Sequence, residues 1–516
     1  MSFTPSPRQQ AIFDHVVQPA SSSLIVEAVA GSGKTTTLVE LLKLLPADPD
    51  SILPPAVLFL AFNKLIAETL AARCPKNVLC KTFHSLGLAA LSASLPKRPQ
   101  IEARKVPKIV FEMTEKDNPD VAAIIKLVSL AKGSLLLPDS SDSLWEDIIR
   151  HYDVQLEEPR QSLRIAKRAL EKSNNDLLQI DFDDMLYLAV LRRAPFQRYD
   201  YIMVDEAQDT NDIQIEMLRL MTTAKTKFVF VGDPHQAIYG FRGANADAMD
   251  RIKSAFSCTT LPLDISYRCA KAVVRKAQEY VRHIQPSNSA PEGQCQTLSK
   301  YHEGHFQPGS AILCRNTAPV VGFAYQLLKR NIRCLIRGRD IGAQLCGVIK
   351  KMRADSIDCL IDRLGEWRAR EVQRAANDQN ESAIERIHDQ HECLTFFIEQ
   401  LPEDRRTVDT LLNRIVALFT DDENKGVVTL STVHKAKGLE WDEVFILDGP
   451  KLMPSKFAKL PWQQAQERNL IYVAITRAKQ SLYYINSNTW QEVEPEVEIN
   501  PIEERRAEVG DDGLVM

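Results

Sequence analysis

The stretch "SLIVEAVAGSGKTTTLVELLKLL" constrains this chain more than any other. An apolar run, Leu24–Val29, meets Ala30, Gly31, Ser32, Gly33, Lys34, Thr35 and Thr36, and a helical pattern follows. Strand, glycine-rich turn and helix in that order are the context of a phosphate-binding loop. The glycines let backbone N–H groups curl around a phosphate, and the helix N-terminus adds positive dipole. In that reading Lys34 reaches the β- and γ-phosphate oxygens and the Thr35 hydroxyl ligates Mg²⁺. Ala28 stands where the general pattern has its first glycine, and it is small enough to permit the turn.

The second half of such a site is in "YDYIMVDEAQDTNDIQ". Tyr201–Val204 reads as a buried strand with Asp205 and Glu206 at its carboxyl end, where open α/β sheets bind ligands. An Asp there can hold Mg²⁺ through water, and a neighbouring Glu can orient and deprotonate an attacking water. The two stretches together predict hydrolysis of a nucleoside triphosphate. A third stretch, "FVFVGDPHQAIYGFRGA", is a strand stopped by Gly-Asp-Pro. It then sets an amide, two rings and a guanidinium close together: Gln236, Tyr239, Phe241 and Arg242. The Gly and Arg around the rings mark them as surface groups rather than core.

In order, these and other stretches resemble the motif series of superfamily-one DNA helicases of the UvrD/Rep/PcrA type. "PSPRQQAIFDHV" looks like the Gln motif, whose amide reads adenine; Gln9 is favoured, with Gln10 open as its neighbour. "LAFNKLIAETL" and "CKTFHSLG" are similar to motifs that grip single-stranded DNA. "GDPHQAIYGFRGA", "LPLDISYRC", "AILCRNTAPVV", "VVTLSTVHKAKGLEWDEVFI" and "QERNLIYVAITRAKQ" continue the series. The resemblance implies that Gln236 senses the γ-phosphate while Tyr239, Phe241 and Arg242 face the strand. One turn would then couple hydrolysis to grip, and stacking on bases tolerates any sequence. It also implies that Tyr267 stacks on adenine, that Arg268 and Arg477 act as arginine fingers, and that Glu440 meets the ribose or the water network. Phe62, Asn63, Thr82, His84, Arg315, Thr432 and His434 match strand-contacting positions. The chain departs from the family in having Phe241 where Trp is usual, in the spacing of "AFNK", and in placing Asn316 directly after Arg315.

The expected fold is α/β, with two RecA-like motor domains carrying mainly helical insertions. The first motor domain is expected at 1–92 and 180–262, around a helical insertion at 93–179. The second is expected at 263–343 and 425–490, around a reduced helical insertion at 344–424. That second insertion is shorter than the corresponding subdomain of UvrD, Rep or PcrA. "HDQHEC" puts His388 and His391 on one helix face, but the Gln- and Glu-rich surroundings read as a solvated helix rather than a metal site.

Composition fits this reading without requiring it. At 516 residues, 44% hydrophobic and 26% charged, the chain is that of a multi-domain globular protein. The net charge of −4 is uneven, because the stretch from Gln491 to Met516 holds nine acids and two arginines. This tail is expected to be disordered and is a candidate dock for a protein partner. The ten cysteines form no CxxC pair, which with the missing signal pattern and short apolar runs predicts a cytoplasmic protein with no membrane segment. The expected activity is that of an ATP- and Mg²⁺-dependent translocase and helicase, moving 3′→5′ on single-stranded DNA and at single/double-strand junctions. The rival expectations are a motor that clears proteins without unwinding, and an ATPase subunit beside a separate nuclease.

Overall fold

The computed structural model describes residues 3–18, 20–46, 54–61, 63–115, 118–152, 154, 156–238, 240, 247–377, 381–421 and 426–490. Phe62, Tyr239, Phe241, Arg242 and the acidic tail lie outside the described residues.

Two parallel sheets organise the molecule. The first is built from β1 (Leu24–Ala28), β2 (Val57–Leu60), β3 (Val78–Lys81), β4 (Tyr201–Val204), β5 (Lys227–Gly232) and β6 (Thr259–Leu263). Their order is β3-β2-β4-β5-β1-β6. The strands with near-continuous apolar sequence lie in the middle, as expected for a sheet covered by helices on both faces. β2 and β4 are buried throughout, and β1 is buried except at Glu27. The phosphate-loop strand β1 is an inner strand, held in register by β5 (Leu24↔Val229) and β6 (Leu24↔Thr259).

The second sheet comprises β7 (Gln294–Thr297), β8 (Ala311–Cys314), β9 (Cys334–Arg337), β10 (Phe419–Thr420), β11 (Val428–Thr432), β12 (Trp441–Leu447) and β13 (Ala478–Ile485). It runs in the order β7-β13-β12-β8-β11-β9-β10. The fold is therefore α/β, with two RecA-like parallel sheets and many flanking helices.

The stretch between β3 and β4 is mostly helical and shares the first sheet's core. Val110, Ile124, Leu127 and Ala166 pack in one cluster with Leu58, Ile202 and Phe230 of the strands. Its base is an ionic network. Lys105 Nζ donates to Asp184 Oδ2 at 2.8 Å, and Lys132 Nζ pairs with Asp184 at 2.7 Å and Asp181 at 2.7 Å. The acids of "FDDML" stand at a helix N-terminus, as the sequence suggests, with Asp183 at the cap and Asp184 in the first turn of the helix Asp184–Leu191, and Asp184 also neutralises the two buried lysines. Breaking one side of such a pair costs about 3–5 kcal/mol, so the insertion is fixed to the sheet.

In the second half, the helices Ile357–Asn377 and Glu381–Glu399 pack against each other. Cys393, Leu394, Phe397 and Ile398 anchor the latter in the second core. Asp389 of "HDQHEC" accepts the backbone N–H groups of Thr317 and Ala318 at 3.0 and 2.7 Å. That carboxylate thus caps the helix Thr317–Lys329. Among the described residues no helix is long and apolar enough to cross a membrane.

Candidate nucleotide site and nucleic-acid interface

The loop after β1 has the backbone that its glycines permit. Gly31 (φ +70°) and Gly33 (φ +79°) are left-handed, and Gly33 caps the helix Lys34–Leu42. The carboxyl end of β4 delivers Asp205 beside this helix, where Thr35 Oγ1 donates to Asp205 Oδ2 at 2.7 Å. Two hard oxygen donors meeting under a phosphate loop fit Mg²⁺, with Thr35 and Asp205 as the residues to hold it. Glu206 sits in a left-handed conformation (φ +53°), rare for a side chain of its kind. Gln208 Nε2 donates to its carboxylate at 2.6 Å.

A cleft of about 710 Å³ opens between the sheets, within the roughly 300–1,000 Å³ that small-molecule sites occupy. It brings together Lys34, Asp205, Glu206, Gln236, Arg268, Glu440 and Arg477, along with Gly31 through Thr36. The contributing edges differ. The first sheet supplies residues from the carboxyl ends of its strands. The second supplies Glu440 and Arg477 from the amino ends of β12 and β13.

Burial dominates the electrostatics. Desolvation, and then the charge of Glu206, push Asp205 up to about 6. Burial also acts to raise Glu206, but Lys34 and Lys437 outweigh it and hold that carboxyl below its usual range. Glu206 is therefore the better ionised of the two, as a base for water must be. Arg477 is 1% exposed, and burial followed by Arg268 brings its guanidinium down to about 10. Its Nη1 donates to Leu439 O at 2.9 Å and its Nη2 to Gln236 Oε1 at 3.4 Å. Arg268 pairs with Glu440 at 2.6 Å. A nucleotide would have to draw Arg268 from that carboxylate. Tyr267 is half exposed beside the loop, its N–H bonded to Gly31 O at 2.8 Å. A ring so placed can stack on a base.

Gln9, not Gln10, lies against the loop. Its Nε2 donates to Thr37 Oγ1 at 2.9 Å and its Oε1 accepts from Ser6 N at 3.0 Å. Both ends of the amide are thus engaged within the protein, in a capping box at the helix Pro7–Val17. Each end keeps a further donor or acceptor with which to meet a base. Gln10 is exposed and bonds Asp14.

Several groups were not singled out in the sequence. Lys437 Nζ reaches Asp209 Oδ2 at 2.6 Å and Gln236 O at 2.7 Å, bridging the sheets. Tyr472, fully buried in the helix Pro461–Ile475, accepts the Ala30 N–H at 2.9 Å. Its hydroxyl also lies 3.4 Å from Asp233 Oδ2. The last acid of "DEAQD", the Lys before Gly438 and the Tyr of "IYVAITR" were the available signals.

The expected strand contacts are less uniform. Asn63 caps the helix Lys64–Ala71 and lines the nucleotide cleft. Thr82 caps the helix Phe83–Ala93, leaving His84 exposed at its start. Thr432 is buried at the end of β11. Arg315 lines a second cavity and is held there by carboxylates. Its Nε and Nη2 are bonded to Glu467 at 2.9 and 2.8 Å, and its Nη1 to Glu385 at 2.8 Å. Two carboxylates neutralise it, so it has no free charge for a phosphate. The cavity measures about 420 Å³, and His434, Ile238, Trp462 and Gln466 also line it.

Two family descriptions match the chain. Residues 8–257 match the UvrD/REP helicase N-terminal domain. Residues 349–489 match the UvrD-like helicase C-terminal domain. The chain belongs to the UvrD/Rep helicase family. It is 26% identical over 513 residues to F-box DNA helicase protein 1 of Schizosaccharomyces pombe, covering 89% of this chain and 55% of that protein. It is 27% identical over 295 residues to ATP-dependent DNA helicase PcrA of Leuconostoc citreum, covering 52% of this chain and 38% of the relative. PcrA of Staphylococcus epidermidis is 22% identical over 613 residues, covering 92% of this chain and 82% of that protein. The chain spans about half, or less, of the first two relatives' own length.

Proposed function

We propose that this UvrD/Rep-family chain is an ATP- and Mg²⁺-dependent motor that translocates 3′→5′ on single-stranded DNA and separates strands. The observation that carries the reading is the two-sided cleft. Phosphate loop and carboxylates come from the first sheet, Arg477 leads into β13 of the second, and Arg268 joins Arg477 on that side, its Nη1 bonded to Thr476 O at 3.3 Å. Mg²⁺ held by Thr35 and Asp205 would neutralise charge on the phosphates. The loop amides and Lys34 bind the triphosphate, and Glu206 orients and deprotonates the attacking water. Arg268 and Arg477 offset charge on the transferring phosphoryl group. Both arginines engage only with the cleft closed, so each turnover is tied to a domain movement. Polarity and strand separation rest on the family resemblance.

The paired helices Ile357–Asn377 and Glu381–Glu399 favour a second reading, protein clearance without unwinding, because they stand where larger relatives carry a subdomain. The test is ATP turnover with no nucleic acid, single-stranded DNA, duplex DNA and single-stranded RNA. Stimulation by single-stranded DNA is expected, with a loss of about 10²–10⁴-fold in Glu206→Gln. Turnover indifferent to every nucleic acid would overturn the proposal. A tailed duplex then separates unwinding from clearance.

A further inference from the structure

The helix Pro461–Ile475 belongs to the second sheet's side of the cleft, yet it grips two separate loops of the first. One is the phosphate loop, through the Ala30 N–H to Tyr472 Oη bond of 2.9 Å. The other is the turn after β5. Asn469 Nδ2 donates there to Ala237 O at 3.0 Å and Pro234 O at 3.3 Å, and Tyr472 Oη lies 3.4 Å from Asp233 Oδ2. A hydroxyl can accept one bond while donating another, so Tyr472 can join both loops at once. Asp233 is fully buried, and the same Oδ2 also accepts Gln236 Nε2 at 2.7 Å. Its Oδ1 accepts the His235 N–H at 3.0 Å. The carboxylate therefore sets the orientation of the Gln236 amide, whose oxygen faces Arg477 at 3.4 Å.

We propose that the Tyr472 hydroxyl, acting through Asp233, links the closed nucleotide loop to the Gln236 turn and so couples nucleotide state to strand engagement. Both are positioning residues, since neither lines the nucleotide cleft. Tyr472 meets the phosphate loop from across the cleft, so opening would break the Ala30 bond and release one support of Asp233. Gln236 would then be free to reorient, and with it the start of the segment that leads to residues 239–242. The inference rests on the motor reading above.

The experiment compares Tyr472→Phe with wild type at varied ATP, with and without a saturating single-stranded oligonucleotide, and records melting temperature alongside. Phe keeps the ring and removes only the hydroxyl. The ratio of stimulated to unstimulated turnover should fall about fivefold or more, the lower end of allosteric coupling. The KM for ATP should stay within about twofold. Asp233→Asn should lose a similar share of the stimulation, and the double variant should be no worse than the worse single one, as for residues acting in series. Full stimulation in Tyr472→Phe, with or without a lowered melting temperature, would overturn the inference while leaving the motor intact. Losses that multiply in the double variant would also overturn it. Wild type without stimulation would defeat the motor reading itself, and this inference with it. If Tyr472→Phe does not fold, Asp233→Asn decides alone, and intact stimulation in it is the negative result.

Discussion

Gly31→Ala tests how closely the two sides of the cleft approach. A Cβ at Gly31 would fall well inside contact distance of Arg268 Cβ, 2.9 Å from Ser266 Oγ and 3.2 Å from the Arg268 backbone nitrogen. None of these is the far end of a flexible side chain, so the segment 266–268 would have to move. The left-handed φ of +70° adds a second cost, about 1–2 kcal/mol for a residue with a Cβ. Gly438 separates the two costs. It has φ +90° and nothing within 4 Å of the position a Cβ would take. Gly438→Ala therefore carries backbone strain without a clash. The clash at Gly31 is worth about 1–3 kcal/mol by analogy with overpacked cores. It acts only when the cleft is closed and Arg268 lies over the loop. Opening relieves it, so the closed population, and turnover with it, should fall about 5- to 150-fold beyond the loss in Gly438→Ala. The assay is ATP turnover at saturating ATP and single-stranded DNA for both variants and wild type. If Gly31→Ala stays within about twofold of Gly438→Ala, the argument from close approach is wrong.

Two further predictions concern charges that the fold has paired. Arg315→Ala should destabilise the protein by about 3–5 kcal/mol, because Glu385 and Glu467 lose their shared cation. Thermal melting reads this, and unchanged melting with weakened DNA binding would mark Arg315 as a strand contact. Asp209 is pushed up to about 6 by burial, with Lys437 opposing. The folded protein thus holds a proton that the unfolded chain releases nearer pH 4. Stability from this group is present below that lower value and is lost as pH rises to about 6, by up to about 3 kcal/mol, with no further change above. Melting temperature against pH should show this slope in wild type and a flatter one in Asp209→Asn; equal slopes would refute the assignment.

Much of the nucleotide site was legible because it is built from neighbours in the chain. A phosphate loop needs closely spaced glycines, a strand before and a helix after, and all three are local properties of residues 24–42. Asp205 and Glu206 were legible for a similar reason, since the end of a buried parallel strand is where such sheets present ligands. Arg268 and Arg477 were found by motif order, and the structure brings both to the cleft. The surroundings of the strand-contact candidates were less legible. Motif matching reports which residue type stands at a position, but not what occupies the space in front of it.

By itself, then, the sequence determined that this chain folds around a phosphate-binding strand–loop–helix with carboxylates at a neighbouring strand end. Backbone conformation and strand burial follow from residues a few positions apart. Only the tertiary structure decided which groups face one another across the cleft. Arg315 meets Glu467 from 152 positions away, Lys437 meets Asp209 across 228, and Tyr472 reaches Ala30 across 442. Such pairs depend on how two separately built sheets come together, and the strength of a charge or hydroxyl there depends on the water that this approach removes. Neither quantity is a property of any short stretch of chain.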